Sequence, residues 1–113
     1  MNQESTVPEI SPTELKAMLD AGDVPVLVDV REAHEVAIAD LPEHGQLRIP
    51  TGEFSQRLAE IDPEARVVVY CRSGARSAWA GAILLQQGYE NVLNLAGGVL
   101  GWRLEVDPTL RAY

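Results

Sequence analysis

The sequence predicts an α/β protein built on a largely parallel sheet, and three observations carry that expectation. Short runs rich in β-branched residues, Val24 to Val30 and Val67 to Tyr70, read as strands covered on both faces. Stretches with helical spacing separate them, and strands that alternate with helices pair in parallel. After Tyr70 the chain breaks into Cys71-Arg-Ser-Gly-Ala-Arg76, which is small, polar and basic, and from Ser77 it turns apolar for a helix's length. That is a strand, a tight loop and a helix, with a cysteine as the first loop residue.

The 113 residues fit one domain, residues 1–113, with a sizeable core. Residues 1–9 are polar and expected to be flexible, with a short strand near Val7. Ser11, Pro12 and Glu14 form an N-cap, a first helical position and a capping box. Ile10 and Leu15 are placed to staple that start, Leu15, Met18 and Leu19 make a buried stripe, and Gly22 stops the helix. The strand Val24 to Val30 ends in the charged cluster Asp29, Arg31 and Glu32. Glu32 to Ala39 reads as a short helix, and Leu47 to Ile49 as a brief edge strand closed by Pro50. Thr51 caps an expected helix with Phe54, Leu58 and Ile61 on one face. Asp62 to Glu64 is the turn into the strand Val67 to Tyr70. Ala78 to Leu85 carries no charge, which predicts a helix buried on most sides, ended by Gly88. Asn91 to Leu95 is the last strand. The glycine-rich turn Gly97-Gly98 then leads into a short helix in which Trp102 packs under the domain. That turn lacks the Lys-Ser/Thr of a phosphate loop.

Composition excludes several classes. A net charge of −8 argues against binding nucleic acid or anionic membranes. No apolar run approaches membrane-spanning length, and the N-terminus lacks the basic start of a signal peptide, so the default location is cytoplasmic. One cysteine forms no internal disulfide and no cysteine-based zinc site. His34 and His44 read as surface residues, so no cofactor or metal is expected. There is also no resolving cysteine, so an intermediate on Cys71 must be discharged by an outside molecule.

The loop is where chemistry is expected. A tight turn at a strand's carboxyl end aims backbone N–H groups at one point beside a helix start, and both features favour an anion. Here the anion is the thiolate of Cys71. A helix N-terminus and neighbouring arginines lower a cysteine pKa from about 8.5, and this loop offers the start near Ser77 with Arg72 and Arg76. The alternative is a cysteine that merely fills the core, as free cysteines commonly do. Gly74 and two cations within five residues favour the nucleophile.

On these residues the chain resembles the rhodanese family of sulfurtransferases. The resemblance runs from about Ile10 to Asp107 and rests on Leu27 to Glu32, on Cys71 to Ser77, and on Leu95 to Gly98 followed by Trp102. It implies a five-stranded, mostly parallel sheet flanked by helices on both faces. It also implies a loop that cradles the cysteine sulfur. In that family the cysteine takes a sulfane sulfur from a donor such as thiosulfate, holds it as a persulfide, and passes it to cyanide, a thiol or a sulfur-carrier protein. The tail from Trp102 to Tyr113 resembles rhodanese domains fused to the adenylating enzymes of molybdopterin and thiamine biosynthesis. One stretch departs: where the family often has Gly-His-Ile-Pro-Gly-Ala, this chain has Asp40 to Gly45.

Carried onto this sequence, Cys71 is the catalytic residue, and Arg72, Ser73, Gly74, Ala75, Arg76 and Ser77 bind the substrate. Asp29, Arg31 and Glu32 support the site as an ion-pair network above the sheet. Arg76 has an alternative expected role, folding back to pair with a carboxylate such as Asp29 or Glu32. Two rival readings remain. Cysteine-dependent phosphatases and arsenate reductases set five residues between cysteine and arginine, whereas Cys71 and Arg76 enclose four; the shorter ring suits one sulfur atom. A regulatory or relay module would dock a partner rather than turn over, but such modules often lack the cysteine that is present here.

Overall fold

The computed structural model describes residues 6–113, so Met1 to Ser5 of the expected flexible start lie outside the described residues. Five strands form one sheet: β1 (Glu9–Ile10), β2 (Val26–Asp29), β3 (Leu47–Arg48), β4 (Val67–Tyr70) and β5 (Val92–Leu95). Every pairing is parallel, in the order β1-β5-β4-β2-β3. Four helices connect or follow them: α1 (Pro12–Asp20), α2 (Ala33–Ile38), α3 (Ala75–Gln86) and α4 (Gly98–Glu105).

The sequence of β4 explains its central place. All four residues are buried, and their side chains alternate between two cores. Val67 and Val69 join Val28, Ala80 and Leu84 on one face; Val68 and Tyr70 join Leu15, Leu27, Val99 and Trp102 on the other. Helix α3 covers the first face, and α1 with α4 covers the second. Gly81 lets α3 approach closely, because a Cβ there would lie 2.9 Å from the Val7 side chain. Val7 is itself buried, and Glu9–Ile10 pair with β5, so the part of the expected flexible segment from Val7 onward is held in place.

Helix α1 starts as its sequence dictates. The Ser11 hydroxyl accepts from the Glu14 amide at 3.0 Å, and Glu14 Oε1 accepts from the Ser11 amide at 2.9 Å. Gly22, just past the end, has φ +77°.

Two expectations are corrected. The helix expected from Thr51 is instead two 3₁₀ turns, Thr51–Glu53 and Leu58–Glu60. Phe54 and Ile61 are buried as its face required, but Gly52 disfavours a helix by about 1 kcal/mol. Arg57, between the turns, leaves helical backbone at φ −114° and bonds the carboxylates of Glu53 and Glu60. Helix α3 buries Ser77, Ala80, Gly81 and Leu84, yet Trp79, its ring 6.1 Å from that of Phe54, is 47% exposed. An apolar run does not bury every side when only one face meets a sheet. Among the described residues no helix is long and apolar enough to cross a membrane.

Candidate active site

Cys71 follows directly on β4, the strand between β2 and β5. Ligands of open parallel sheets bind at such carboxyl ends. The loop turns at Gly74, whose φ of +111° suits glycine, and α3 begins at the next residue. The turn brings the Gly74 amide to 3.1 Å from the Cys71 sulfur and the Ser77 hydroxyl to 3.4 Å. Cys71 is 1% exposed. Burial pushes its pKa up. The groups around the sulfur, the Ser77 hydroxyl when it donates there and the amides of Ser77, Gly74 and Ser73, pull harder the other way. The thiol therefore lies below its ordinary value.

The loop is clamped from α4. The amides of Val99 and Leu100 donate to the carbonyls of Cys71 and Arg72, each at 3.0 Å. Gly98 makes this approach possible: with φ +58°, a Cβ there would sit 2.4 Å from the Cys71 carbonyl oxygen. The glycine pair read as a simple turn is thus the seat of the nucleophile loop. From β5, Asn94 reaches the same loop, donating Nδ2–H to the Gly74 carbonyl at 3.1 Å and accepting from the Ser77 hydroxyl at 2.6 Å.

The two loop arginines are engaged differently. Arg76 forms a two-pronged pair with Glu35 of α2, at 2.8 and 2.9 Å. That pair holds Glu35 at a pKa of about 2, against the effect of burial and with help from the Glu32 amide and the Tyr113 hydroxyl. Arg72 is exposed; its Nε–H donates to the Tyr113 carbonyl, and its guanidinium lies 5.3 Å from the Tyr113 ring centroid. Arg76 thus folds back onto a carboxylate, but the partner is Glu35 and not the expected Asp29 or Glu32. Asp29 is already taken, and Glu32 is exposed at the start of α2. Glu35, one turn further on, is buried and faces the loop.

Beside the loop lies a closed charge network. Buried Asp29 accepts from Arg31 at 2.9 and 3.0 Å and from Arg48 at 2.7 Å. Asp40 accepts from Arg31 at 2.9 Å, from Arg48 at 2.7 Å and from the Tyr70 hydroxyl at 2.8 Å. Arg31 also donates to the carbonyl of Ala39 at 2.7 Å and to the Tyr113 hydroxyl at 2.9 Å. Glu32, expected in this network, is corrected: its exposed carboxylate forms no ion pair among the described residues, and its amide donates to Glu35 at 2.9 Å. A shallow pocket of about 530 Å³ opens next to the loop, lined by Thr51, Gly52, Ala75, Arg76 and Trp79. His34 is exposed and His44 half-buried, and no metal-binding cluster occurs among the described residues.

Sequence reasoning missed Glu35, Asp40, Asn94 and Tyr113. Only Asn94 carried a signal, as a polar residue inside an apolar strand. Asp40 lies in the very stretch that departs from the family pattern.

A parallel sheet whose central strand runs into a cysteine loop, seated on a Gly-Gly helix start, defines a class of protein. The rhodanese-like domain model matches residues 11–105, and the chain belongs to that family. Over 97 residues it is 45% identical to a sulfurtransferase of Allochromatium vinosum, covering 85% of this chain and 88% of that one. The solved human single-domain sulfurtransferase TSTD1 matches with a TM-score of 0.72 at 28% identity, covering 88% of this chain and 98% of that one. Over 106 residues, 92% of this chain, it is 32% identical to a probable adenylyltransferase/sulfurtransferase, MoeZ, of Mycobacterium tuberculosis, of which it spans 26%.

Proposed function

We propose that this protein is a sulfurtransferase that carries a sulfane sulfur on Cys71. The observation that carries the reading is the sulfur's position: buried, 3.1 Å from the Gly74 amide, in a ring of donors that lowers its pKa. Similarity to named sulfurtransferases supports it. The Cys71 thiolate attacks the outer sulfur of thiosulfate; the new S–S bond forms as the old one breaks, and sulfite leaves with the bonding pair. Cyanide then attacks the terminal sulfur of the persulfide, giving thiocyanate and returning the thiolate. Charge is conserved in both steps. Donors aimed at the sulfur stabilise the anion before and after loading.

In this reading Arg76 braces the loop, because both ends of its guanidinium are taken by Glu35. Arg72, on the surface, is the cation that meets an anionic donor. A sulfur-carrier protein is a second kind of acceptor in this reading.

Intact-mass measurement after incubation with thiosulfate tests the reading. The wild type is expected to gain one sulfur atom and to lose it to cyanide, and Cys71→Ser to do neither. A Cys71→Ser protein that kept thiosulfate:cyanide turnover would remove Cys71 from the mechanism.

A further inference from the structure

The Ser77 hydroxyl sits among three acceptors: Asn94 Oδ1 at 2.6 Å, the Gly74 carbonyl at 3.3 Å and the Cys71 sulfur at 3.4 Å. A hydroxyl has one proton to donate. Proximity places Ser77 among the groups that lower the Cys71 pKa, but the destination of that proton decides whether it does so. The orientation of the Asn94 amide follows from its other contact. The Gly74 carbonyl, 3.1 Å away, can only accept, so the amide nitrogen faces it and the oxygen faces Ser77. Ser77 and Asn94 are 0% and 3% exposed, which leaves the hydroxyl no solvent to turn to. Its shortest contact by far is Asn94.

We propose that Asn94 is a positioning residue for Cys71: its Oδ1 accepts the Ser77 hydroxyl's one hydrogen bond, so the hydroxyl does not donate to the sulfur and the amides alone hold the thiolate. The proposal rests on Cys71 being the reacting thiol. Its chemical consequence is a more reactive sulfur. A hydroxyl proton on the thiolate would make it more abundant but less nucleophilic, because nucleophilicity falls as thiol pKa falls. The charged groups facing the sulfur are few. The loop brings Arg72 and Arg76, the latter neutralised by Glu35 of α2. Asp29 and Arg31, at the end of β2, are closed on each other, and Arg31 lies over Tyr70, which joins the opposite core from Cys71. Strand β5 and the first turn of α4 contain no charged residue.

The test is the pH dependence of iodoacetamide alkylation in the wild type, Ser77→Ala, Asn94→Leu and the double variant. Asn94→Leu keeps the side-chain shape and removes the acceptor, so the Ser77 proton moves to the sulfur, the charged acceptor left to it. Its midpoint is expected to fall by about one pH unit, the scale of one hydrogen bond to an ionised group. Ser77→Ala alone is expected to leave the wild-type midpoint in place, and in the Asn94→Leu background to restore it. A rise of similar size in Ser77→Ala alone would show that Ser77 already serves the sulfur and would overturn the assignment; so would an unmoved midpoint in folded Asn94→Leu. If Asn94→Leu fails to fold by circular dichroism, Ser77→Ala alone still decides. Sulfur transfer is measured in the same proteins. A wild type that alkylates as expected but transfers no sulfur would sink the proposed function and leave the role of Asn94 standing.

Discussion

The carboxyl edge of the sheet has two halves, and they are closed by different means. On the β2–β3 side, Arg31 and Arg48 share Asp29 and Asp40 in a set of matched charges, with Asp29 and Arg31 buried and Asp40 and Arg48 half-buried. On the β4–β5 side, the groups that seat the cysteine are neutral: the α4 amides on the loop carbonyls, the Gly74 amide at the sulfur, and Asn94 between them. Glu35 and Tyr113 join the halves, since Glu35 holds Arg76 while Tyr113 touches both Arg31 and Arg72. Rigid support can use buried ions because each finds its counterion. A site that must develop negative charge on sulfur does better with neutral dipoles, which stabilise that charge without cancelling it beforehand.

The contrast is broken most severely at Arg31. Arg31→Met removes a cation that is 2% exposed and leaves Asp29 and Asp40 to Arg48 alone. Breaking a buried pair from one side costs about 3–5 kcal/mol, and the remaining Arg48 places this variant at the lower end. Urea denaturation is the measurement; a loss below about 1 kcal/mol would show that the network is not a structural support.

Gly98→Ala strikes the other half. Its Cβ would meet the carbonyl oxygens of Cys71 and Arg72 at 2.4 and 2.6 Å, at a φ of +58°. Overpacking and left-handed backbone together are expected to cost about 2 kcal/mol. Displacement of the loop by an ångström is expected to lower sulfur-transfer kcat/KM by about a hundredfold. A full-rate variant would mean that the α4 clamp does not set loop geometry.

Glu35→Gln tests the join. With Glu35 depressed to about 2 from its ordinary 4.5, its pairing stabilises the fold fully above pH 4.5 and is lost as pH falls towards 2. The variant is expected to lose about 1 kcal/mol at pH 7, because Arg76 remains partly exposed. Its stability is also expected to fall less steeply with acid between those pH values. Parallel stability–pH curves for variant and wild type would contradict that assignment.

Arg72→Ala should be the mildest. Its guanidinium is exposed, so the change in stability is expected to stay within about 0.5 kcal/mol. The effect is expected in KM for thiosulfate and in its salt dependence, with kcat little changed. Equal KM for the variant and the wild type would remove Arg72 from donor binding.

Much of this architecture was legible because its causes are local. Val67 to Tyr70 are uncharged and strand-forming, Ser11 and Glu14 cap a helix in any context, and Gly74 marks a turn that few other residues accept. The failures have physical causes of their own. Phe54 and Ile61 have helical spacing, and both are buried, but two short turns suffice to bury them. Trp79 sits in an apolar run yet faces out, because composition does not say which side of a helix meets a sheet.

By itself, then, the sequence determined the order of the strands and of the helices α1 to α4, the cysteine at the end of the central strand, and the family to which these motifs belong. These follow from neighbours in the chain: side-chain period, capping and turn chemistry act over a few residues. The tertiary structure alone decided what each charge and each proton meets. Glu35 reaches Arg76 from 41 residues away, and Asn94 reaches Ser77 from 17. Asp40 closes a network with Arg31, Arg48 and Tyr70, and the Gly97-Gly98 turn becomes a clamp only when α4 packs under the loop. Pairing of that kind depends on how the crossovers bring distant segments together, and it is set by packing and burial rather than by any pattern along the chain.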